Sequence, residues 1–165
     1  MNIKYILVLG NKMSGKTNFI NKLFNKNTSY SATIGIEYHT KIKSNNDSIL
    51  MTIDKMVFWD TGEYYRYNNL IKNYIYRTNF FIFVFNISNE NSHTYIYTLL
   101  NEYKSRIHTT NCLIIGNITN GNIELNKTLL YFIFSNHLRY LAIDLKQSNS
   151  SDIVKLTYNS IYEYT

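Results

Sequence analysis

The chain has 165 residues, a formal net charge of +6 and no proline. That length suits a single domain with a real core, expected over residues 1–165, and 45% hydrophobic against 17% charged residues excludes a disordered chain. The longest strongly apolar run, Phe80 to Phe85, is too short to cross a bilayer, the N-terminus lacks a secretory pattern, and the single cysteine, Cys112, excludes a disulfide framework. An intracellular protein, cytosolic or peripheral to membranes, is expected. The favoured residues have A/T-rich codons, so Tyr, Asn, Ile and Lys each carry little weight singly. The lysines are scattered over a solvated surface; weak contact with anionic membrane and no nucleic-acid binding are expected.

Ile3 to Leu9 is a short apolar run ending at Gly10, a buried strand. Thr17 to Asn25 carries Phe19, Ile20, Leu23 and Phe24 at helical spacing. Ile36 to Lys43 and Ile49 to Trp59 read as a hairpin around the polar turn Ser44 to Asp47. Tyr64 to Arg77 predicts an irregular helix, and Phe80 to Phe85 a central strand covered on both faces. Ser92 to Ile107 predicts a helix, Cys112 to Gly116 a strand, Leu125 to Asn136 a helix, Tyr140 to Ile143 a strand, and Ser151 to Tyr162 a last helix. Strands alternate with helices after one hairpin. That order predicts an α/β fold: a six-stranded, mostly parallel sheet with one antiparallel hairpin strand and about five flanking helices. In such a sheet ligands bind at the carboxyl ends of the strands. With no proline, Asn and Ser clusters are expected to end the helices.

The sharpest motif is Gly10-Asn11-Lys12-Met13-Ser14-Gly15-Lys16-Thr17, which fits G-x-x-x-x-G-K-[ST] between a strand and a helix. Its spacing wraps backbone N–H groups around a phosphate at a helix N-terminus. Lys16 would reach the β- and γ-phosphates, and the Thr17 hydroxyl would hold Mg²⁺.

Further segments carry a family resemblance. Thr33-Ile34-Gly35-Ile36-Glu37-Tyr38 stands for T-I-G-V-x-F, Trp59-Asp60-Thr61 is W-D-T, and Arg66-Tyr67 follows without a gap. Asn86 to His93 stands for D-I-T-N-E-E-S-F, and Gly116 to Asn120 for G-N-K-x-D. The chain thus resembles the Rab-type small GTPases of the Ras superfamily over nearly its whole length. The resemblance implies the P-loop small-GTPase fold and a switch in which GTP with Mg²⁺ orders two loops and hydrolysis to GDP releases them. It implies nucleotide contacts from Gly10 to Thr17, Thr33, Asn117, Asn120 and Lys146, and Mg²⁺ held by Thr17, Thr33 and Asp60. It also implies a monomer that meets Rab-type effectors or regulators through the switch regions, over an aromatic patch of Tyr38, Trp59 and Tyr74, in intracellular membrane traffic.

Departures from the pattern bear on mechanism. Lys12 and Met13 replace small residues beside the γ-phosphate. D-T-A-G-Q reads Asp60-Thr61-Gly62-Glu63-Tyr64, so Tyr64, or Glu63 if the register shifts by one, takes the place of the glutamine that orients water. Slow or absent hydrolysis is expected. N-K-x-D reads Asn117-Ile118-Thr119-Asn120; an amide offers one acceptor and one donor where guanine presents two donors. S-A-K survives only as the lysine of Asp144-Leu145-Lys146. The stretch from Lys16 to Thr33 is about two residues short, judged by motif spacing, and Tyr30 is the candidate for stacking on the base. Two functions stay open: a guanine-nucleotide switch with poor turnover, and a pseudo-GTPase, a Rab-shaped interaction module that holds nucleotide weakly, unselectively or not at all. The chain ends Glu163-Tyr164-Thr165 with no cysteine for prenylation, so only weak, salt-sensitive membrane adsorption is expected.

Overall fold

The structure is a computed structural model that describes residues 1–27, 32–42, 53–119 and 126–162. The turn at Ser44 to Asp47, the strand start at Ile49, the helix start at Leu125, Tyr30 and Asn120 lie outside the described residues, as does the side chain of Tyr64. Among those described, the order is β1 (Ile3–Leu9), α1 (Lys16–Leu23), β2 (Ile36–Ile42), β3 (Lys55–Thr61), α2 (Tyr64–Ile75), β4 (Phe80–Asn86), α3 (Glu90–Glu102), β5 (Cys112–Asn117), α4 (Lys127–Ser135), β6 (Arg139–Ile143) and α5 (Ser150–Tyr162). The six strands form one sheet in the order β2-β3-β1-β4-β5-β6. β2 runs antiparallel to β3, and the other neighbours are parallel. The predicted α/β architecture is the one observed.

The period-2 alternation of strands explains the two cores. From β1, Leu7 and Leu9 join Phe81, Phe83 and Phe85 of β4 beneath α2, α3 and α4. Ile6 and Val8 point the other way and pack with Phe80, Ile82 and Val84 against α1 and α5. Because both faces are covered, β4 shows no polar alternation until Asn86.

Helix ends show how a proline-free chain stops its helices. After α1, Asn25 takes a left-handed φ of 52°, and Lys26 N–H reaches back to Asn21 O at 2.8 Å. After α4, His137 does the same at φ 51°, with Leu138 N–H on Ile133 O at 2.9 Å. Both are Schellman-type ends with a non-glycine residue where glycine is usual. At the other ends, Asn89 Oδ1 accepts Asn91 N–H and Asn126 Oδ1 accepts Thr128 N–H. The first of these caps starts α3 at Glu90, two residues before the predicted Ser92. The helix also stops at Glu102, short of the predicted Ile107, and Tyr103 to Arg106 continue as turns. β3 in turn runs past Trp59 to Thr61, because Ile36 of β2 pairs with Thr61.

Cys112 is fully buried in β5, and burial pushes its thiol well above the ordinary range. A thiol reagent is therefore expected to leave the native protein unmodified and to react fully on denaturation. Reaction with the native protein at the denatured rate would show that β5 is not covered as described.

Candidate functional site

Strand order places the site. β1 has β3 on one side and β4 on the other, so the chain's path reverses direction across the sheet at its carboxyl end. A crevice opens at such a switch point, and the Gly10–Gly15 loop follows β1 there. The crevice is a cleft of about 540 Å³. Its walls are this loop, Thr33 and Ile34, Gly62 and Glu63, and Asn117, Thr119, Leu145 and Lys146. Among the described residues, Lys12, Lys16, Arg66 and Lys146 line it together with one acid, Glu63, a cationic balance suited to polyanions.

The loop's glycines are needed where they stand. A Cβ on Gly10 would sit 2.1 Å from Val84 O in β4, so loop and sheet meet backbone to backbone. Gly15 has φ +105°, and a Cβ there would meet Asn117 Nδ2 at 2.6 Å. Met13 is held at φ 59° despite its side chain, a local cost of roughly 1 kcal/mol. Met13 and Lys12 point outward and are exposed at the cleft mouth.

Lys16 is only 7% exposed, and its ammonium donates to Gly10 O at 3.0 Å and Asn11 O at 2.8 Å. Burial lowers its pKa to about 8, against the opposing pull of Asp60 and Glu63. Thr17, at the second position of α1, donates its hydroxyl to Asp60 Oδ2 at 2.8 Å. Thr33 donates to the same oxygen at 3.3 Å, and the two threonine hydroxyls lie 3.0 Å apart. Asp60 is fully buried near the end of β3, and its Oδ1 has no partner among the described residues. Burial raises its pKa to about 6, partly offset by the Thr17 hydrogen bond and by Lys16. Two hydroxyls and a carboxylate converge here, and a buried carboxylate oxygen is left unsatisfied. All-oxygen donors of this kind suit a hard cation such as Mg²⁺.

At the carboxyl ends of β5 and β6, Asn117 Nδ2 donates to Ser14 O at 3.1 Å, while Leu145 N–H donates to Asn117 Oδ1 at 3.4 Å. Asn117 thereby ties β5 to the phosphate loop and to the loop after β6. Lys146 lines the cleft, and its N–H is held by Asp144 Oδ1. Ile118 turns away and packs on the larger core, with its N–H on Ile143 O.

Gly62 N–H donates to Gly35 O at 2.7 Å, and a Cβ on Gly62 would lie 2.7 Å from Thr33 O. Glu63 adopts φ −66°, ψ 121°, a conformation open to any residue, and lines the cleft with its side chain exposed. α2 kinks at Tyr67, whose φ of −118° leaves the helical range and whose ring lies against Gly62. Tyr38, Trp59 and Tyr74 are brought together. Tyr38 and Tyr74 share a hydrogen bond between their hydroxyls, and Tyr74 packs edge-on to Trp59 at 4.8 Å. Trp59 is only 4% exposed and stacks on Tyr5 beneath them, so Tyr38 and Tyr74 form the outer part of the patch.

Sequence reasoning gave no site role to Ser92 or Arg66. Ser92 is fully buried; its hydroxyl donates to Asn11 Oδ1 at 2.6 Å and accepts Asn86 N–H at 2.9 Å, pinning the phosphate loop to the end of β4. No periodicity signals such a role. Arg66 comes to the cleft only because α2 starts beside it.

Comparison with known proteins shows the family to which the chain belongs. The family model described as Ras of Complex, Roc, domain of DAPkinase matches residues 5–120. The chain is 22% identical to the Ras-related protein Rab-11B of Dictyostelium discoideum over 166 aligned positions, which span 96% of this chain and 72% of that protein. It is 27% identical to human Ras-related protein Rab-3A over 119 positions, spanning 68% of this chain and half of that protein.

Proposed function

Because the chain belongs to the Ras of Complex (Roc) family of Ras-superfamily small-GTPase domains and has Rab-type relatives, we propose that it binds GTP and GDP with Mg²⁺ and works as a nucleotide-dependent switch with slow or absent hydrolysis. The observation that carries this reading is the convergence of Lys16, Thr17, Thr33 and Asp60 at the carboxyl end of β1.

Each role follows from this chain's own groups. The backbone of Gly10 to Gly15 and the N-terminus of α1 cradle phosphate, and Lys16 exchanges its two carbonyl partners for phosphate oxygens. Thr17, Thr33 and Asp60 are the residues that would hold Mg²⁺, which neutralises phosphate charge when bound. Thr33 is then the reporter, because it lies on the segment entering β2 and already leans on Thr17 and Asp60. Losing its partners frees that segment, which is how nucleotide state reaches Tyr38 and the exposed Ile34 beside it. Effectors or regulators would read this face. Slow hydrolysis follows from Glu63 and Tyr64 in place of a water-positioning glutamine; neither offers an amide that donates and accepts at once. A role in intracellular membrane traffic is part of this proposal and rests on the resemblance to Rab-type small GTPases. No helix among the described residues is long and apolar enough to cross a membrane.

Ile118 favours the second reading, an interaction module with weak or unselective nucleotide binding. It is partly buried against the larger core instead of lining the cleft, so the base loses an apolar cover there. Nucleotide content of the purified protein, with affinities for GTP, GDP, XTP and ATP in Mg²⁺, decides between the two. Binding that depends on Mg²⁺ with little preference for guanine is expected, since Asn120 cannot accept two donors. Strict guanine selectivity would overturn that reading of Asn120, and no binding at millimolar nucleotide would leave only the interaction module. A single-turnover GTP hydrolysis rate equal to that of ordinary family members would overturn the assignment of the second switch.

A further inference from the structure

Asp60 spends one carboxylate oxygen on Thr17 and Thr33 and leaves the other buried without a partner among the described residues. The hairpin places two more potential ligands beside it. Glu37 of β2 pairs directly with Asp60 of β3, and His39 pairs with Phe58. Residues facing each other across an antiparallel pair, and those two positions along, share one face. One ligand atom from each of Glu37, His39 and Asp60 can be chosen so that all lie within 4.8 Å of one another. His39 is only 8% exposed, and its Nε2 has no hydrogen-bond partner among the described residues. Two buried polar atoms are thus unsatisfied in one small cluster, and such groups are costly to leave unpaired. The cluster already draws a cation: Lys26 Nζ stands 3.1 Å from His39 Nδ1.

We propose that Glu37, His39 and Asp60 form a binding site for a divalent transition cation of the zinc type. Two carboxylates and an imidazole make a three-ligand set with an open position. The imidazole distinguishes this site from the all-oxygen set of Thr17, Thr33 and Asp60, and suits zinc-like ions better than Mg²⁺. Asp60 would then be shared by the two sites. A cation bound here fastens β2 to β3, and its charge competes for the carboxylate that the Mg²⁺ side also needs. Lys26 must give way, since two cations cannot share the His39 ring.

The test is made without nucleotide and without Mg²⁺, so its outcome is separate from that of the proposed nucleotide binding. The full chain is titrated with Zn²⁺ by calorimetry, and with Co²⁺ by visible absorption. Saturable binding of about one equivalent is expected, with ligand-field bands for Co²⁺. His39→Asn and Glu37→Gln should each weaken binding by about tenfold or more, since losing even an outer partner of a metal ligand costs that much. Lys26→Ala should tighten it. His93, His108 and His137 stay in place in all variants, so adventitious binding through them would be unchanged. Equal affinity in the wild type, His39→Asn and Glu37→Gln proteins would overturn the site, as would no saturable binding at millimolar Zn²⁺. Glu37 is exposed on an edge strand, so Glu37→Gln keeps the test decisive if His39→Asn fails to fold.

Discussion

Lys16→Met is expected to lower affinity for nucleoside di- and triphosphates by about 100-fold or more, while the protein stays folded. The ammonium is buried at the floor of the cleft, and its two present partners are neutral carbonyls. Phosphate oxygens offer charge-assisted bonds worth roughly 1.5–3 kcal/mol each. Losing two of them costs on the order of 3–6 kcal/mol, and each 1.4 kcal/mol is about tenfold in affinity. The methionine keeps most of the volume, so the test isolates the charge. The same substitution has a pH signature in the nucleotide-free protein. Lys16 titrates near pH 8 in the fold and near 10.5 when unfolded. Between those values the unfolded chain binds more protons, so wild-type stability should rise across that window, by up to about 3 kcal/mol. Below pH 8 both states hold the proton and the slope vanishes. Denaturant unfolding at pH 7.5 and 10.5 reads this directly. If Lys16→Met shows the same rise as the wild type, burial of Lys16 is not its source.

Gly10→Ala is expected to cost about 4 kcal/mol of stability or more, in the range reserved for severe core errors. The added methyl would stand 2.1 Å from Val84 O, a backbone carbonyl at the heart of β4. Relief requires β1 and β4 to separate, which opens both cores at once. Gly116→Ala is the control. Its Cβ would meet the Tyr140 hydroxyl at 2.6 Å and Ile87 Cδ1 and Cγ1 at 2.7 and 2.8 Å, side-chain atoms and not backbone. It should cost clearly less. For a domain of this size a loss of 4 kcal/mol lowers Tm by roughly 8–16 °C. Thermal unfolding of the two variants gives the comparison, and equal losses would mean that β1 and β4 yield as easily as side chains do.

Much of the fold was legible because apolar periodicity is a local signal. Ile3 to Leu9 and Phe80 to Phe85 could be recognised as buried strands from their own residues, and the glycine loop could be placed between β1 and α1. The ends of elements were less legible, because they depend on neighbours. β3 runs on to Thr61 only because Ile36 lies opposite it, and α3 starts at Glu90 because Asn89 turns its side chain to cap it. The phosphate-loop residues were readable from one motif. Ser92 was not, since its contact with Asn11 joins residues 81 positions apart.

By itself the sequence determined which chemistry is available: a phosphate loop with Lys16 and Thr17, a threonine at 33, an aspartate at 60, and no glutamine or guanine-reading aspartate where the family pattern has them. Those are matters of residue identity. Only the tertiary structure decided which of these groups share space. The strand reversal at β1 sets Thr17, Thr33 and Asp60 on one another, and the β2–β3 register brings Glu37 and His39 close to the same carboxylate. Burial then decides their charge behaviour, lifting Asp60 toward 6 and lowering Lys16 toward 8, because removal from water penalises the ionised form of each.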